Sequence, residues 1–167
     1  MNTFITASAI LLAATTAQAA DQPPDCTGAE YRQFDFWIGE FDVRSPDGQL
    51  AGHNVIGPTL NGCVLTEHWT GTDGSEGRSV NFYDRREQRW NQIWIDNRGG
   101  VLRLAGGIVD GSMLLEGTTS GKDGAIRRHR IRWTPNPDAS VRQHWESSTD
   151  DGATWATVFD GIYQPRK

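Results

Sequence analysis

The sequence predicts an all-β fold, an antiparallel up-and-down barrel of about ten strands preceded by a short helix. Apolar and polar side chains alternate in short runs from residue 41 onward, turn-forming residues separate the runs, and no run has convincing helical periodicity. A two-sheet sandwich is the other solution for so many hairpins. The absence of a long crossing connection favours a meander, which avoids exposed edges best by closing.

The expected strands, in order, span residues 41–45, 50–57, 62–70, 77–84, 89–97, 100–106, 111–119, 124–134, 139–147 and 154–164. Most of the connections between them contain Gly, Pro, Asn or Asp, as at Asn61-Gly62 and Asp110-Gly111, and these residues suit tight turns. Before the first strand, residues 27–34 are expected to form the short helix, with Thr27 as its cap.

The first 19 residues are expected to be a secretory signal peptide cleaved after Ala19. They carry no charged side chain, have an apolar centre and end in small residues. A buried helix is the alternative interpretation. Residues 20–167 then form a single barrel domain, periplasmic or secreted. No second apolar run has the roughly 18 residues of a membrane helix, and Pro24 and Asp25 precede Cys26 where a lipidated cysteine has small apolar neighbours, so we expect no membrane anchor.

The two cysteines of the mature chain, Cys26 and Cys63, have no metal-type spacing. In an oxidising compartment such a pair most simply forms one disulfide, and two free buried thiols are the alternative. The chain has 16 basic and 21 acidic side chains, for a formal net charge of −5. Its one basic cluster, around residues 127–132, is typical of a solvated strand face, so nucleic acid is not expected as a partner.

The stretch FDFWIGEFDV, residues 34–43, resembles the opening motif of a secreted bacterial family of lipocalin-like proteins of unknown function. The resemblance continues through residues 62–69, 81–84, 90–96, 130–134 and 142–147, and so covers nearly the whole mature chain. It implies a calycin-type β-barrel without implying a reaction or a ligand. In such barrels a short helix leads into a strand that carries Trp and Gly, so Trp37 is expected to plug the base.

Alternation assigns side chains to strand faces, since residues two apart share a side. Several faces mix aromatic with polar groups: Trp90, Gln92, Trp94 and Asp96; Val141, Gln143, Trp145 and Ser147; Leu65, Glu67 and Trp69; and Trp155, Thr157, Phe159 and Tyr163. A sealed core rarely has this mixture, because buried amides and carboxylates are costly without partners. The faces therefore favour a cavity inside the barrel, and an outward, solvated orientation is the alternative. On the strand expected at residues 77–84, the pattern does not decide whether Asn81 and Tyr83 or Val80 and Phe82 face the interior.

The inward interpretation predicts a small, partly apolar or amphipathic organic molecule as the ligand. The expected ligand-binding residues are Glu67, Trp69, Asn81, Tyr83, Gln92, Trp94, Arg130, Gln143 and Trp145. Glu67 is expected to pair with Arg130, which would make both charges tolerable inside the barrel. A packed interior, in a structural or partner-binding module, is a further hypothesis.

Catalysis has little support, because the chain has no G-x-S-x-G, phosphate-loop or H-E-x-x-H motif. The remaining enzyme hypothesis is an isomerisation or cyclisation with Glu67 as acid or base and Tyr83 or Arg130 as partner. The four histidines, His53, His68, His129 and His144, lack metal-ligand spacing and are expected to be exposed. No cofactor and no metal are expected.

The stretch SSTDDGATW, residues 147–155, contains the motif S-x-D-x-G-x-T-W, which is repeated in sialidases and other β-propellers. Here it occurs once, in a chain without a repeat of propeller-blade length. It lies between two expected strands, so we interpret it as a hairpin clasp in which Asp150 accepts turn hydrogen bonds, Gly152 supplies an unusual backbone conformation and Trp155 packs beneath the turn.

Overall fold

The computed structural model describes residues 26–166, and the expected signal peptide lies outside the described residues. Ten antiparallel strands confirm the prediction, with ends that differ by a few residues: β1 (Gly39–Arg44), β2 (Leu50–Thr59), β3 (Val64–Gly71), β4 (Glu76–Asp84), β5 (Arg89–Asp96), β6 (Val101–Val109), β7 (Ser112–Ser120), β8 (Ile126–Pro135), β9 (Val141–Ser148) and β10 (Ala156–Pro165). Within residues 26–166, no helix has the length and hydropathy needed to cross a membrane.

The strands form a closed up-and-down barrel in which each pairs with its neighbours in sequence and β1 pairs with β10. The closing pair has the register Phe41↔Pro165 and Val43↔Tyr163. Closure satisfies the backbone groups that a sandwich would leave at sheet edges, and it excludes the two-sheet alternative. The architecture fits a lipocalin-like fold.

The segment before β1 closes one end of the barrel, which we call the base. It contains two 3₁₀ helices, Ala29–Arg32 and Asp35–Trp37, where a single helix over residues 27–34 was expected. The expected cap at Thr27 is wrong, because Gly28 precedes the first helix and no side chain caps it. The break between the helices lets Phe34 and Trp37, both fully buried, enter the barrel together.

Trp37 lies in an aromatic cluster at the base. Its ring stacks on Phe34, with 4.9 Å between centroids, and lies 5.4 Å from Trp133 and 6.2 Å from Tyr163. Because these rings come from the N-terminal segment, β8 and β10, they seal this end with apolar surface.

The disulfide between Cys26 and Cys63 is present and fixes the N-terminal segment to the start of β3. Arg32 adds a second connection, since its Nη2 donates to the carbonyl oxygens of Cys26, at 3.1 Å, and Gly62, at 2.5 Å. The base is thus held by covalent, polar and aromatic contacts. The β3–β4, β5–β6 and β9–β10 loops lie at the opposite end, which no other segment of residues 26–166 covers.

The aromatic and polar faces point inward. Asn81 is fully buried while its neighbour Val80 is 41% exposed, which decides the face of β4. The face expected for the last strand is wrong at one end. The register between β9 and β10 shifts between Thr157 and Phe159, so Phe159 and Tyr163 face inward while Trp155 lies against the outward-facing Arg130.

Candidate functional site

The barrel encloses a cavity of about 580 Å³ above the aromatic base. It opens at the β3–β4 and β5–β6 loops, where Asp73 and Arg98 lie at the mouth. Its walls are aromatic, formed by Trp69, Trp94, Trp133, Trp145 and Phe159. Its polar wall groups below the mouth are Glu67, Gln92, Gln143 and Tyr163. This composition, apolar walls with a few placed polar groups, is typical of small-molecule sites.

Glu67, on β3, is the buried carboxylate of the cavity and is 6% exposed. Its Oε1 accepts a hydrogen bond from Asn54 Nδ2 at 2.7 Å, and its Oε2 accepts one from Ser79 Oγ at 2.5 Å. Both donors are neutral. Burial raises the pKa of Glu67 above its ordinary value of 4.5, and the hydrogen bonds from Ser79 and Asn54 oppose that rise.

A chain of hydrogen bonds leads from β5 to this carboxylate. Gln92 Nε2 donates to Asn81 Oδ1 at 2.7 Å, and Asn81 Nδ2 donates to Ser79 Oγ at 2.9 Å. Ser79 in turn donates to Glu67. Asn81 is therefore a support behind the wall. Because Gln92 uses an N–H to hold Asn81, its carbonyl oxygen remains to accept a hydrogen bond from a ligand.

Tyr163 and Gln143 continue the polar network on the other side of Glu67. Asn54 Nδ2 also donates to the Tyr163 hydroxyl at 3.3 Å, and that hydroxyl donates to Gln143 Oε1 at 2.5 Å. Trp133 Nε1 donates to the same Oε1 at 3.1 Å. Burial, and then the charge of Glu67, raise the pKa of Tyr163 well above its ordinary value, so it stays a neutral donor. The amide NH₂ of Gln143 remains for a ligand.

Three glycines make room for wall aromatics, Gly52 and Gly77 from the strand next to the aromatic and Gly161 from the same strand as Phe159. A Cβ at Gly52 would lie 2.7 Å from Trp69 Cη2, and one at Gly161 would lie 2.6 Å from Phe159 Cζ. At Gly77 a Cβ would overlap the Trp94 indole. Each ring thus lies against a glycine. A larger side chain in place of the glycine would push the ring into the barrel interior and reduce the cavity.

His129, on β8, fixes the orientation of Trp145. Trp145 Nε1 donates to His129 Nδ1 at 3.1 Å, so His129 carries its proton on Nε2 and donates it to Thr119 Oγ1 at 2.8 Å. Burial, and then the charge of Arg127, lower the pKa of His129. The expectation that every histidine is exposed is wrong here, because His129 is 6% exposed on the inward face.

Six of the nine expected ligand-binding residues line the cavity: Glu67, Trp69, Gln92, Trp94, Gln143 and Trp145. Three do not. Asn81 lies behind the wall, and Tyr83 packs at the base against Tyr31, 5.4 Å between centroids. Arg130 lies outside the barrel.

The expected pairing of Glu67 with Arg130 is wrong. The guanidinium of Arg130 donates to Glu146 Oε2 at 2.7 Å and lies 4.0 Å above the Trp155 ring. Residues 129, 131 and 133 of β8 face inward and are buried, so Arg130 faces outward by alternation. Glu67 consequently has neutral partners only.

Sequence reasoning missed Asn54, Ser79 and Tyr163 as members of the polar network. Alternation places Tyr163 on one face with Phe159 but does not mark it as a site residue. The available signal was the set of glycines inside expected strands, Gly52, Gly77 and Gly161, since glycine within a strand marks a close approach. Asn54 and Ser79 share the faces of Gly52 and Gly77 by alternation.

The motif around Asp150 forms the expected hairpin clasp at the β9–β10 turn. Asp150 Oδ1 accepts from Thr154 N at 2.8 Å and from Ser148 Oγ at 2.7 Å, and Gly152 has a φ of 93°. Trp155 Nε1 donates to the carbonyl oxygen of Gly152 at 3.0 Å. Hydrogen bonds, first that from the Thr154 hydroxyl, lower the pKa of Asp150 to about 2. The motif's side chains are thus engaged in the turn itself.

Comparison with known proteins gives no match, either to a protein-family model or to a curated protein. In the part of the chain that the structure describes, no group of three or more His, Cys, Asp or Glu side chains is arranged to hold a metal ion.

Proposed function

We propose that this protein is an exported binding protein that holds a small, partly apolar organic molecule inside its barrel. The observation that carries the proposal is the aromatic-walled cavity of about 580 Å³, a volume within the range of small-molecule sites. The network behind the wall supports it, because the side chains of Gln92 and Gln143 are held in place while each keeps one polar group free.

Export is proposed from the sequence of residues 1–19, and the Cys26–Cys63 disulfide supports an oxidising compartment. Membership of the secreted lipocalin-like family that residues 34–43 resemble is part of the same proposal, and the closed ten-stranded barrel supports it.

Titration with N-phenyl-1-naphthylamine, whose fluorescence rises in an apolar environment, tests binding inside the barrel. Leu102→Trp adds bulk to the cavity, because Leu102 lines it and is 6% exposed. Val101→Trp is the matched control, because Val101 is next to Leu102 in the chain and its side chain is 41% exposed on the outer face. We expect saturable binding to the wild type and to Val101→Trp, and at least a tenfold loss of affinity in Leu102→Trp.

Circular dichroism establishes that both variants are folded before the comparison. Equal affinities in the two folded variants would place the dye outside the cavity. No saturable signal from the wild type, together with no co-purifying small molecule in native mass spectrometry of protein from its own host, would contradict the proposal.

A barrel enzyme is the second candidate, and one observation favours it: Glu67 is a carboxyl with a raised pKa at a cavity wall. The partners expected for it, Tyr83 and Arg130, lie elsewhere. The phenol linked to Glu67, through Asn54, is that of Tyr163, and it serves as a neutral hydrogen-bond donor. The candidate requires that Glu67→Gln abolish a turnover while dye affinity is retained. The open cavity argues against the third hypothesis, a packed interior.

A further inference from the structure

No basic side chain of residues 26–166 pairs with Glu67. Its two hydrogen-bond donors are Asn54 and Ser79, both neutral. The salt bridges of the described barrel join other groups, and the one nearest the mouth, between Arg98 and Asp73 at 3.7 Å, is exposed on both sides. The cavity wall thus carries two carboxylates, Glu67 and Asp73, and one guanidinium, Arg98. An ionised carboxylate buried without a cation is costly.

Glu67 accepts the hydrogen bonds made to its carboxylate. The chain from Gln92 through Asn81 and Ser79 ends with Glu67 as an acceptor. Asn54 adds a second donor, and its own Oδ1 is buried with no hydrogen-bond partner in the described structure. Both oxygens of Glu67 therefore accept hydrogen bonds from neutral groups, and a ligand that donates a hydrogen bond and carries positive charge would balance the charge of the carboxylate.

The aromatic walls favour the same class of ligand. The indoles of Trp69, Trp94 and Trp145 line the cavity that Glu67 enters. An ammonium group over an indole face is attracted by the negative charge of the ring face, most strongly where water is excluded. An anion gains neither contact, because it would face Glu67 and the negative faces of the rings.

We propose that the cavity selects an organic cation, an ammonium group on an apolar or aromatic body, with the ammonium paired to Glu67 and flanked by the tryptophans. This inference rests on the proposed binding function and names the chemical class of its ligand. The competing class of ligand is a neutral hydrogen-bond donor such as an alcohol, which can bind to Glu67 whether or not the carboxylate is ionised. Burial raises the pKa of Glu67, so the two classes differ in how their affinities respond to pH.

Three naphthalene probes of similar shape separate the classes by calorimetry: 2-(1-naphthyl)ethylamine, 2-(1-naphthyl)ethanol and 1-naphthaleneacetate. At pH 8 the amine is still protonated, since alkylamines have a pKa of about 10. We expect the amine to bind at least about tenfold more tightly than the alcohol, and the carboxylate to bind more weakly than the alcohol. Glu67→Gln should abolish the preference for the amine and leave the affinity for the alcohol within about threefold.

Glu116→Gln is the matched control, because it removes the same charge from the exposed outer face of β7; it should keep the preference for the amine. The pH dependence of the wild type gives a second measurement that holds even if Glu67→Gln does not fold. Affinity for the amine should fall as the pH is lowered through the raised pKa of Glu67, while affinity for the alcohol should not.

Tyr163 is the titratable side chain beside Glu67. The others that face the barrel interior are Tyr31 and Tyr83 at the base, His129, and, toward the mouth, Asp73, Asp96, Arg98 and Arg127. The alcohol probe experiences the same groups, so the difference between the two probes isolates the ligand charge.

An alcohol that binds as tightly as the amine, or a preference for the amine that persists in folded Glu67→Gln, overturns the inference and leaves the binding function standing if N-phenyl-1-naphthylamine still binds. Failure of that dye and all three probes overturns both.

Discussion

Gly77→Ala should narrow the cavity by moving one wall. Gly77, on β4, faces the indole of Trp94, and a Cβ built there lies 2.8 Å from Trp94 Cε2, with two other ring carbons closer. Carbon atoms in van der Waals contact are about 3.5 to 4.0 Å apart. The indole must therefore shift by roughly 1 Å or more, and the direction open to it is the cavity, because the barrel wall lies behind it.

The cost to folding should be small. Overpacking a closed core costs about 1 to 3 kcal/mol, but Trp94 borders open space, and replacing a strand glycine by alanine recovers roughly 0.5 to 1 kcal/mol. We expect the unfolding free energy to change by about 1 kcal/mol or less. Affinity for N-phenyl-1-naphthylamine should fall about tenfold, equivalent to about 1.4 kcal/mol.

Gly57→Ala on β2 is the control, since a Cβ there meets nothing within 4 Å. It should leave dye affinity unchanged and leave stability equal or slightly higher. Urea unfolding and fluorescence titration measure the two quantities. Unchanged affinity in Gly77→Ala, with a shifted Trp94 indole N–H resonance, would refute the assignment of Trp94 as a wall of the binding site.

Three further predictions concern stability. Glu67 holds its proton more tightly in the folded state than in the unfolded state, where the carboxyl pKa is about 4.5. The unfolding free energy of the wild type should therefore fall as the pH rises from 4.5 to the raised pKa of Glu67. Urea unfolding measured from pH 4 to 8 tests this, and Glu67→Gln should remove this component of the pH dependence. Cys26→Ser should lower unfolding free energy by up to about 4 kcal/mol, since the disulfide closes a loop with a sequence separation of 37; an unchanged urea midpoint would contradict this. Asp150→Ala should lower the melting temperature and leave dye affinity unchanged. Asp151→Asn should affect neither, because it removes an exposed pair with Arg128 and keeps a residue type that tolerates the φ of 59° at this position. The Asp150 contribution should be present above pH 4 and lost as the pH falls toward 2. A lost affinity with an unchanged melting temperature would contradict the role of Asp150 as a clasp.

The strands and turns were readable from the sequence because both are local. Glycine and asparagine turns locate most of the hairpins, and a period of two assigns each side chain to one of two faces. The same rule placed Glu67, Gln92 and Gln143 together. It failed at β10, where a register shift after Thr157 reverses the alternation, and a shift of this kind has no mark in the sequence.

Arg130 shows a second limit. Alternation places Arg130 on one face of β8 and His129 and Ile131 on the other. Which of these two faces points into the barrel depends on contacts with β7 and β9. The structure decides this through burial, because His129 and Ile131 are 6% and 3% exposed while Arg130 reaches Glu146 and Trp155 on the outside.

The sequence by itself determined the number of strands, their order, the cysteine pair and the clasp at Asp150, because each depends on residues close in the chain or on a single possible pairing. The tertiary structure decided that Asn54, Ser79 and Tyr163 converge with Glu67, and that Gly52, Gly77 and Gly161 leave space for the aromatic walls. Glu67 lies directly opposite Ser79 in the register between β3 and β4, and a slip of one residue would separate them. Tyr163 approaches Asn54 only because β10 pairs with β1 when the barrel closes.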